Sequence, residues 1–405
     1  MIIWGSGFLL TVGFVLHVYE LFYMAAAWGL VVPLGYLMAR LNVGNLQVAR
    51  SLRSPIAIGD STDVTLTVHN RGRGRRFLFT VEDLLPEGLT VAGRAGQLVT
   101  DLAPEAACQL DYQLFPERRG VYQLSDIQLS APDLLGMYEL SRRLQQPQEL
   151  IVYPKPISLP PIWTSTATGG AGRTTTRRKS HQGTDLYGVR EYVPGDDLRH
   201  IHWKVSAHAN QLVITEREEH RSLAATVILD LSRGPHAGEG NRSTLEYGVT
   251  LAVSLLVQAL AQHAPAQLIA EGKQDFTVPF AGAGAAKHDF LEALARVQAD
   301  NTLDLLDVAQ QHQSQFAHAG SVAVITPQIG AKMLKLAAAM RSWSNAVSWF
   351  ALVAPTFESA ADPQKSVQSY DNFVQTLRRG GCQAYLIRGD VELAASFRRW
   401  QRAAV

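Results

Sequence analysis

The first 39 residues contain no lysine or arginine and a single acid, Glu20. Two apolar runs, about 2–18 and 21–39, flank that acid. A membrane helix needs roughly 20 apolar residues, with about 17 as a practical lower limit. Both runs meet that requirement, so residues 1–39 are expected to form a transmembrane helical hairpin. The joint His17-Val18-Tyr19-Glu20 carries polar and aromatic groups suited to a headgroup layer. A secretory signal would begin with basic residues, and this start has none. Arg40, Arg50 and Arg53 follow the second run, then Arg71, Arg73, Arg75 and Arg76. Basic flanks stay cytoplasmic, so the remainder of the chain is expected in the cytosol with a very short external turn.

That remainder is long for one core. A chain of 405 residues suggests two or three domains. A formal net charge of +1 gives no global pull toward nucleic acid. Two distant cysteines, Cys108 and Cys382, cannot build a disulfide framework or a cysteine-rich zinc site. Residues 46–155 read as short strands. Val64, Leu66 and Val68 alternate with Thr65, Thr67 and His69, and Phe77, Phe79 and Val81 begin another alternation. Period-two runs between Gly, Asn and Pro turns predict a β-sandwich. The arginines at 71–76 read as a solvated hairpin tip or as a contact for anionic lipid. Residues 160–184, rich in Gly, Thr and basic side chains, read as a flexible linker. Its basic stretch, Arg177-Arg178-Lys179, is too short to argue for nucleic acid.

From 224 to 405, short apolar runs alternate with amphipathic or apolar helical stretches. "AATVILDLS", "AQLIAE", "GSVAVIT", "AVSWFALVA" and "CQAYLIR" are the strands, with helices between them. Such alternation predicts an open parallel sheet covered on both faces. Ligands on these sheets lie at the carboxyl ends of strands, which directs attention to Asp230-Leu231-Ser232, Thr302 and Thr326.

Between linker and sheet, residues 185–223 carry the densest motif: Gly188, Arg190, Glu191, Tyr192, Pro194, Gly195, Asp196, Asp197, Arg199, Ile201, Trp203, Lys204, Ser206 and Ala207. The pattern G-x-R-E-Y-x-P-G-D-D-x-R-x-I-x-W-K-x-S-A resembles the signature of a bacterial family catalogued as domain of unknown function 58. His208 stands where that family usually has Arg. "RRGVY" and "PDLLG" upstream also resemble family patterns. The resemblance implies a membrane hairpin, a β-sandwich and a von Willebrand factor type A-like domain. It further implies a non-enzymatic protein of the bacterial inner membrane that works with a MoxR-type AAA+ ATPase on a client protein.

Type A domains hold Mg²⁺ with an Asp-x-Ser-x-Ser loop, a Thr from a second loop and an Asp from a third. Here Asp230 and Ser232 match, Gly234 replaces the second Ser, Thr302 matches the second loop and Thr326 stands in place of the acid. A hard dication wants carboxylate oxygens, so this remnant is expected to bind Mg²⁺ weakly or not at all. The alternative is a metal-dependent hydrolase using the Asp230 loop, or His200 and His202 with Asp196 or Asp197. Against it, Asp196-Asp197 also reads as a helix cap before an apolar stripe of Leu198, Ile201 and Val205. On such a helix the two histidines point apart. No phosphate loop, H-E-x-x-H or nucleophile elbow occurs. Arg190, Glu191, Tyr192, Asp196, Asp197, Arg199, Trp203 and Lys204 are therefore expected to form a charged frame that secondarily presents a partner surface.

Overall fold

A computed structural model describes residues 2–93, 96–133, 136, 139–163, 179–180, 185–192, 201–209, 211–218, 224–281, 286–316, 319–344, 346–358 and 363–397. The chain divides into two units, Met1–Pro154 and Lys155–Val405.

The first unit opens with two helices, α1 (Ile2–Leu16) and α2 (Tyr19–Val43), folded back on each other at His17 and Val18. Small residues let their backbones approach: Ser6 Oγ donates to the Ala25 carbonyl at 3.1 Å, and Gly5 and Gly13 lie against Trp28 and Leu21. α2, with 25 residues, is long and apolar enough to cross a membrane. α1 has 15 residues, short of the roughly 20 a full span requires. One face of α2 is packed, with Ala25, Gly35, Ala39 and Val43 buried, while Leu34, Leu37, Met38 and Leu41 stay exposed. Gly35 closely approaches the Asp133 side chain, a contact for which a larger residue has no room.

Nine strands follow: β1 (Leu46–Leu52), β2 (Ile56–Ala57), β3 (Thr62–Asn70), β4 (Arg76–Leu84), β5 (Leu89–Ala92), β6 (Gly96–Leu102), β7 (Ala107–Pro116), β8 (Gly120–Pro132) and β9 (Glu139–Tyr153). They form two sheets, β1-β3-β7-β5 and β2-β9-β8-β4-β6, antiparallel except for the β2·β9 edge. The alternation read from sequence is the burial pattern of β3, and of β4 from Phe79 onward; Phe77, expected inward, is exposed where Leu78 takes a left-handed conformation. Val64, Leu66 and Val68 of one sheet and Phe79, Val81, Ile127 and Leu129 of the other share one buried cluster. Each such side chain contributes roughly 1.5–3 kcal/mol by leaving water.

Inside that cluster lies an ion pair. Arg50 of β1 engages Asp83 of β4 through both Nε, at 2.8 Å, and Nη2. Arg50 Nη1 donates to the carbonyls of Leu124 and Gln146, each at 3.0 Å, and the Tyr112 hydroxyl donates to Asp83. Burial and the Asp83 charge push the Tyr112 phenol far above its usual range. Arg50, counted among the basic flanks of the membrane run, is thus spent in the core of the folded unit.

In the second unit, the stretch after Lys155 straps across a helix. Ile157 N donates to Ser254 Oγ at 2.9 Å, Gln258 Nε2 donates to the Pro160 carbonyl at 2.8 Å, and Trp163 Nε1 donates to the Leu255 carbonyl at 2.8 Å. Residues 164–178 and 181–184 of the expected linker lie outside the described residues. A small sheet of β10 (Lys179–Ser180), β11 (Asp185–Glu191) and β12 (Val213–Glu218) follows, in the order β10-β12-β11, with α3 (Trp203–Ala209) between its last two strands.

The large sheet comprises β13 (Ala225–Leu229), β16 (Ala266–Ile269), β17 (Val278–Ala281), β18 (Ser321–Thr326), β19 (Ala346–Val353) and β20 (Gln383–Arg388), after a short hairpin of β14 (Gly238–Glu239) and β15 (Arg242–Ser243). Its order is β17-β16-β13-β18-β19-β20, parallel but for the β17 edge. Val227 and Leu229 face one buried cluster, built with α4 (Thr244–Ala261) and α5 (Ala286–Arg296). Ile228 faces another, built with α6 (Leu305–Gln311), α7 (Gln313–Phe316), α8 (Ala331–Trp343) and α9 (Pro363–Arg379). Burial on both faces explains why these strands are continuously apolar rather than alternating. α4 is also long and apolar enough for a membrane span, but it is largely buried against the sheet and reads as a core helix.

Candidate functional site

Two places gather the residues singled out by sequence. The first is the carboxyl end of the large sheet. Asp230, one residue past β13, is almost fully buried. Ser232 donates to its Oδ1 from both backbone N, at 3.0 Å, and Oγ, at 2.6 Å. Thr326 Oγ1, at 2.6 Å, and Gln328 Nε2, at 3.0 Å, donate to Oδ2. Four donors on one carboxylate leave no free lone pair facing the loop.

Neighbouring loops are tied into the same knot. Leu231 and Asn301 are joined by a backbone bond of 3.0 Å, Arg233 N donates to the Asn301 carbonyl at 2.8 Å, and the Asn301 side chain donates to the Glu271 carbonyl at 2.6 Å. His236 lies beneath, with Nε2 at 3.0 Å from the Asp230 carbonyl and Nδ1 at 3.0 Å from Thr244 Oγ1. Only a neutral ring with the proton on Nε2 lets Nδ1 accept from the threonine. Burial pushes the imidazole below the usual histidine range, against the pull of the Asp230 charge.

Asp230, Ser232 and Thr326 therefore meet as the sheet topology requires. Thr302 is exposed, and its neighbour Asn301 makes the second-loop contact instead. Asn301, Gln328, His236 and Thr244 escaped the sequence reading. Gln328 was findable in principle, since it stands two residues after Thr326 at a strand end. A dication here would sit against N–H and O–H groups that point at the same carboxylate. No group of three or more His, Cys, Asp or Glu side chains with metal-binding geometry occurs among the described residues. The arrangement can lock three strand ends together, with its carboxylate, Asp230, buried.

The second place is the signature. β11 pairs antiparallel with β12, Arg190 opposite Ile214 and Glu191 opposite Val213. Tyr192 N donates to the Leu212 carbonyl and His202 N to the Val213 carbonyl, both at 2.8 Å. Ser206 Oγ, buried, accepts from Val213 N at 2.9 Å. His202 precedes the helix, and its Nδ1 accepts from Val205 N at 3.3 Å, so it caps α3. Ile201 lies in a β-bridge and α3 begins at Trp203, so Ile201 and Val205 do not share one helix, and the expected cap at Asp196-Asp197 lies outside the described residues. Asp196, Asp197, Arg199 and His200 lie outside the described residues, and Arg190 is described only through its backbone.

What emerges at this junction is exposed. Trp203 is 67% accessible and Leu212 is 44% accessible. Lys204, next to Trp203 in sequence, and Glu191, at the end of β11, are also exposed, and Tyr192 is half-buried. A tryptophan this exposed is uncommon on a folded surface, where large aromatic side chains are mostly buried.

Residues 188–349 match the family described as "Protein of unknown function DUF58". A Bacillus subtilis (strain 168) protein described as "Uncharacterized protein YeaD" is 24% identical over 308 residues, covering 74% of this chain and 75% of that protein. Among solved structures, Escherichia coli alpha-2-macroglobulin, from domain MG7 to its C-terminus, overlaps 27% of this chain and 16% of that one at 19% identity and a TM-score of 0.22. The CARDB domain of a Pyrococcus furiosus protein overlaps 27% of this chain and 94% of that one at 15% identity and a TM-score of 0.19. Overlaps this loose carry no fold assignment.

Proposed function

We propose that the chain is a non-enzymatic membrane-anchored adaptor that engages a MoxR-type AAA+ ATPase and a client protein through its signature segment. The observation that carries this reading is Trp203, held at the start of a short capped helix with its indole in solvent. Aromatic anchors of this kind dominate protein interfaces, whereas the charges around them set register. The two sheets of the first unit, closed on one core, support the β-sandwich reading. The parallel sheet flanked by helices on both faces supports a type A-like second domain whose metal loop has turned structural. The apolar helix near the N-terminus supports an anchor in the bacterial inner membrane, and the basic residues after it favour a cytosolic location for both domains.

A hydrolase is the weaker reading. Its nominal acid, Asp230, is saturated by four donors, and His202 is engaged as a helix cap. The direct test replaces Trp203 with a photo-crosslinking phenylalanine analogue in cells that express the ATPase. Crosslinking to the ATPase on irradiation is expected, and a probe that reacts only with water or lipid contradicts the adaptor reading.

A further inference from the structure

Where the end of α2 meets the 71–76 loop, a cavity of about 550 Å³ opens in the first unit. Its apolar wall is Met38 and Leu41, and its other wall is the loop that carries Arg71, Arg73, Arg75 and Arg76. The loop is built to keep its shape. Asn70, fully buried, donates to the carbonyls of Gly74, Leu102 and Ala103 and accepts from Gly72 N at 3.0 Å. Arg71 N donates to the Asn45 carbonyl at 3.0 Å, and Phe77 N donates to Asn42 Oδ1 at 3.2 Å, so the loop is pinned to the last turn of α2 and the residues after it.

Two of the four arginines have acids nearby. Arg71 lies 3.7 Å from Glu105 and Arg75 3.7 Å from Asp101, all on exposed side chains where such pairs are weak. Arg76 differs. It is only 6% accessible, and its Nε has no hydrogen-bond partner among the described residues. Its guanidinium lies over Gly72, where any side chain would collide with it. No carboxylate pairs with it among the described residues. Burial alone lowers the affinity of this guanidinium for its proton. A buried, uncompensated cation is costly unless an anion joins it.

We propose that this cavity is a binding site for the phosphate of an anionic phospholipid headgroup, with Arg76 at its floor and Arg73 at its mouth. Guanidinium recognises phosphate oxygens in a planar, two-pronged geometry. The apolar wall favours a lipid over a free ion. Met38 and Leu41 continue from the apolar helix, and Phe77 and Leu78 beside the arginines are also exposed. An amphiphile with a charged head and apolar chains satisfies both walls at once. The site rests on the membrane-anchored reading of α2, because only an inserted helix brings its last turn to the headgroup layer.

The test uses the full chain purified in a mild non-ionic detergent. Its melting temperature is followed on adding short-chain phosphatidylglycerol, short-chain phosphatidylcholine or inorganic phosphate. Saturable stabilisation by phosphatidylglycerol, absent with phosphatidylcholine, is expected. Arg76→Gln should weaken that binding about ten-fold or more, the effect of losing hydrogen bonds to a charged group. If Arg76→Gln does not fold, Arg73→Gln, exposed and outside the core, should weaken it about five-fold, as for one arginine near an anionic surface. Arg53→Gln, away from the cavity, should leave it unchanged. Equal stabilisation by both lipids, or full retention in the two variants, overturns the proposal. Inorganic phosphate as effective as the lipid would make it an ion site and overturn the lipid assignment. Incorporation into phosphatidylcholine nanodiscs tests the anchor separately: a chain that enters them but shows no anionic preference loses only this site, and one that stays out loses the anchor.

Discussion

Asp230 and Thr326, at the ends of the neighbouring parallel strands β13 and β18, are joined by a 2.6 Å hydrogen bond in a fully buried setting. Gln328 and Ser232 complete the shell. The Asp230 loop is a knot of protein groups, its carboxylate held by hydroxyl and amide donors from two strand ends.

Removing one donor leaves the carboxylate short. Thr326→Val strands Asp230 Oδ2 with one partner and deprives Gln328 N of its acceptor. The expected cost is about 1–3 kcal/mol for buried groups left unsatisfied. Hydrogen–deuterium exchange should show faster exchange in β13 and β18, with the sheets of the first unit unaffected.

Mg²⁺ titrated calorimetrically into the full chain should give no saturable heat, because the lone pairs of Asp230 are already used. Stoichiometric binding that disappears in Asp230→Ala would show that the knot opens for a cation.

The pair formed by Arg50 and Asp83 offers a test of the first unit. Arg50→Met leaves Asp83 charged and buried, which costs about 3–5 kcal/mol. The double variant Arg50→Met with Asp83→Leu should recover most of that loss, since paired apolar replacements are often neutral. Thermal unfolding of both variants in detergent measures the difference, and an equally destabilised double variant would mean that the pair contributes net stability.

A pH dependence follows from His236. Its folded pKa is lowered by burial, while the unfolded value is about 6.5. Between the two the unfolded chain binds more protons, so this contribution is complete above the unfolded value and declines as pH falls through the folded one. The slope is at most about 1.4 kcal/mol per pH unit. His236→Gln should lose this component: the stability gap between wild type and variant should narrow as pH drops below about 6.5, the unfolded value. A gap independent of pH would show that the ring is not held neutral.

Much of this was legible in sequence, and the misses have identifiable causes. Period-two alternation marked β3 and β4, and continuous apolar runs marked β13 and β18, because burial on one face or on two writes itself into composition. The same alternation places Arg50 on the inward face with Leu46 and Val48, and Asp83 inward with Phe79 and Val81. The pair becomes visible only through strand register, which the position of Arg50 after the apolar run does not reveal. Asn301 and Gln328 come together only through the crossover order of the sheet, which local sequence does not specify. At the signature, the expected stripe of Ile201 and Val205 is broken because Ile201 lies in a β-bridge and α3 begins only at Trp203, which local sequence does not specify. α1 ends after 15 residues because His17 adopts a left-handed conformation that breaks the helix before the apolar run is used up.

The adaptor account stands most directly on Trp203. Its indole is 67% accessible, so Trp203→Ala should leave the melting temperature of the full chain within the small change usual for surface sites. Binding of a purified MoxR-type ATPase from the same organism to detergent-solubilised chain, measured by interferometry, should weaken by about 2 kcal/mol or more, the scale of an interface hot spot. Unchanged affinity in a folded Trp203→Ala protein, or no binding by the wild type, would contradict the account.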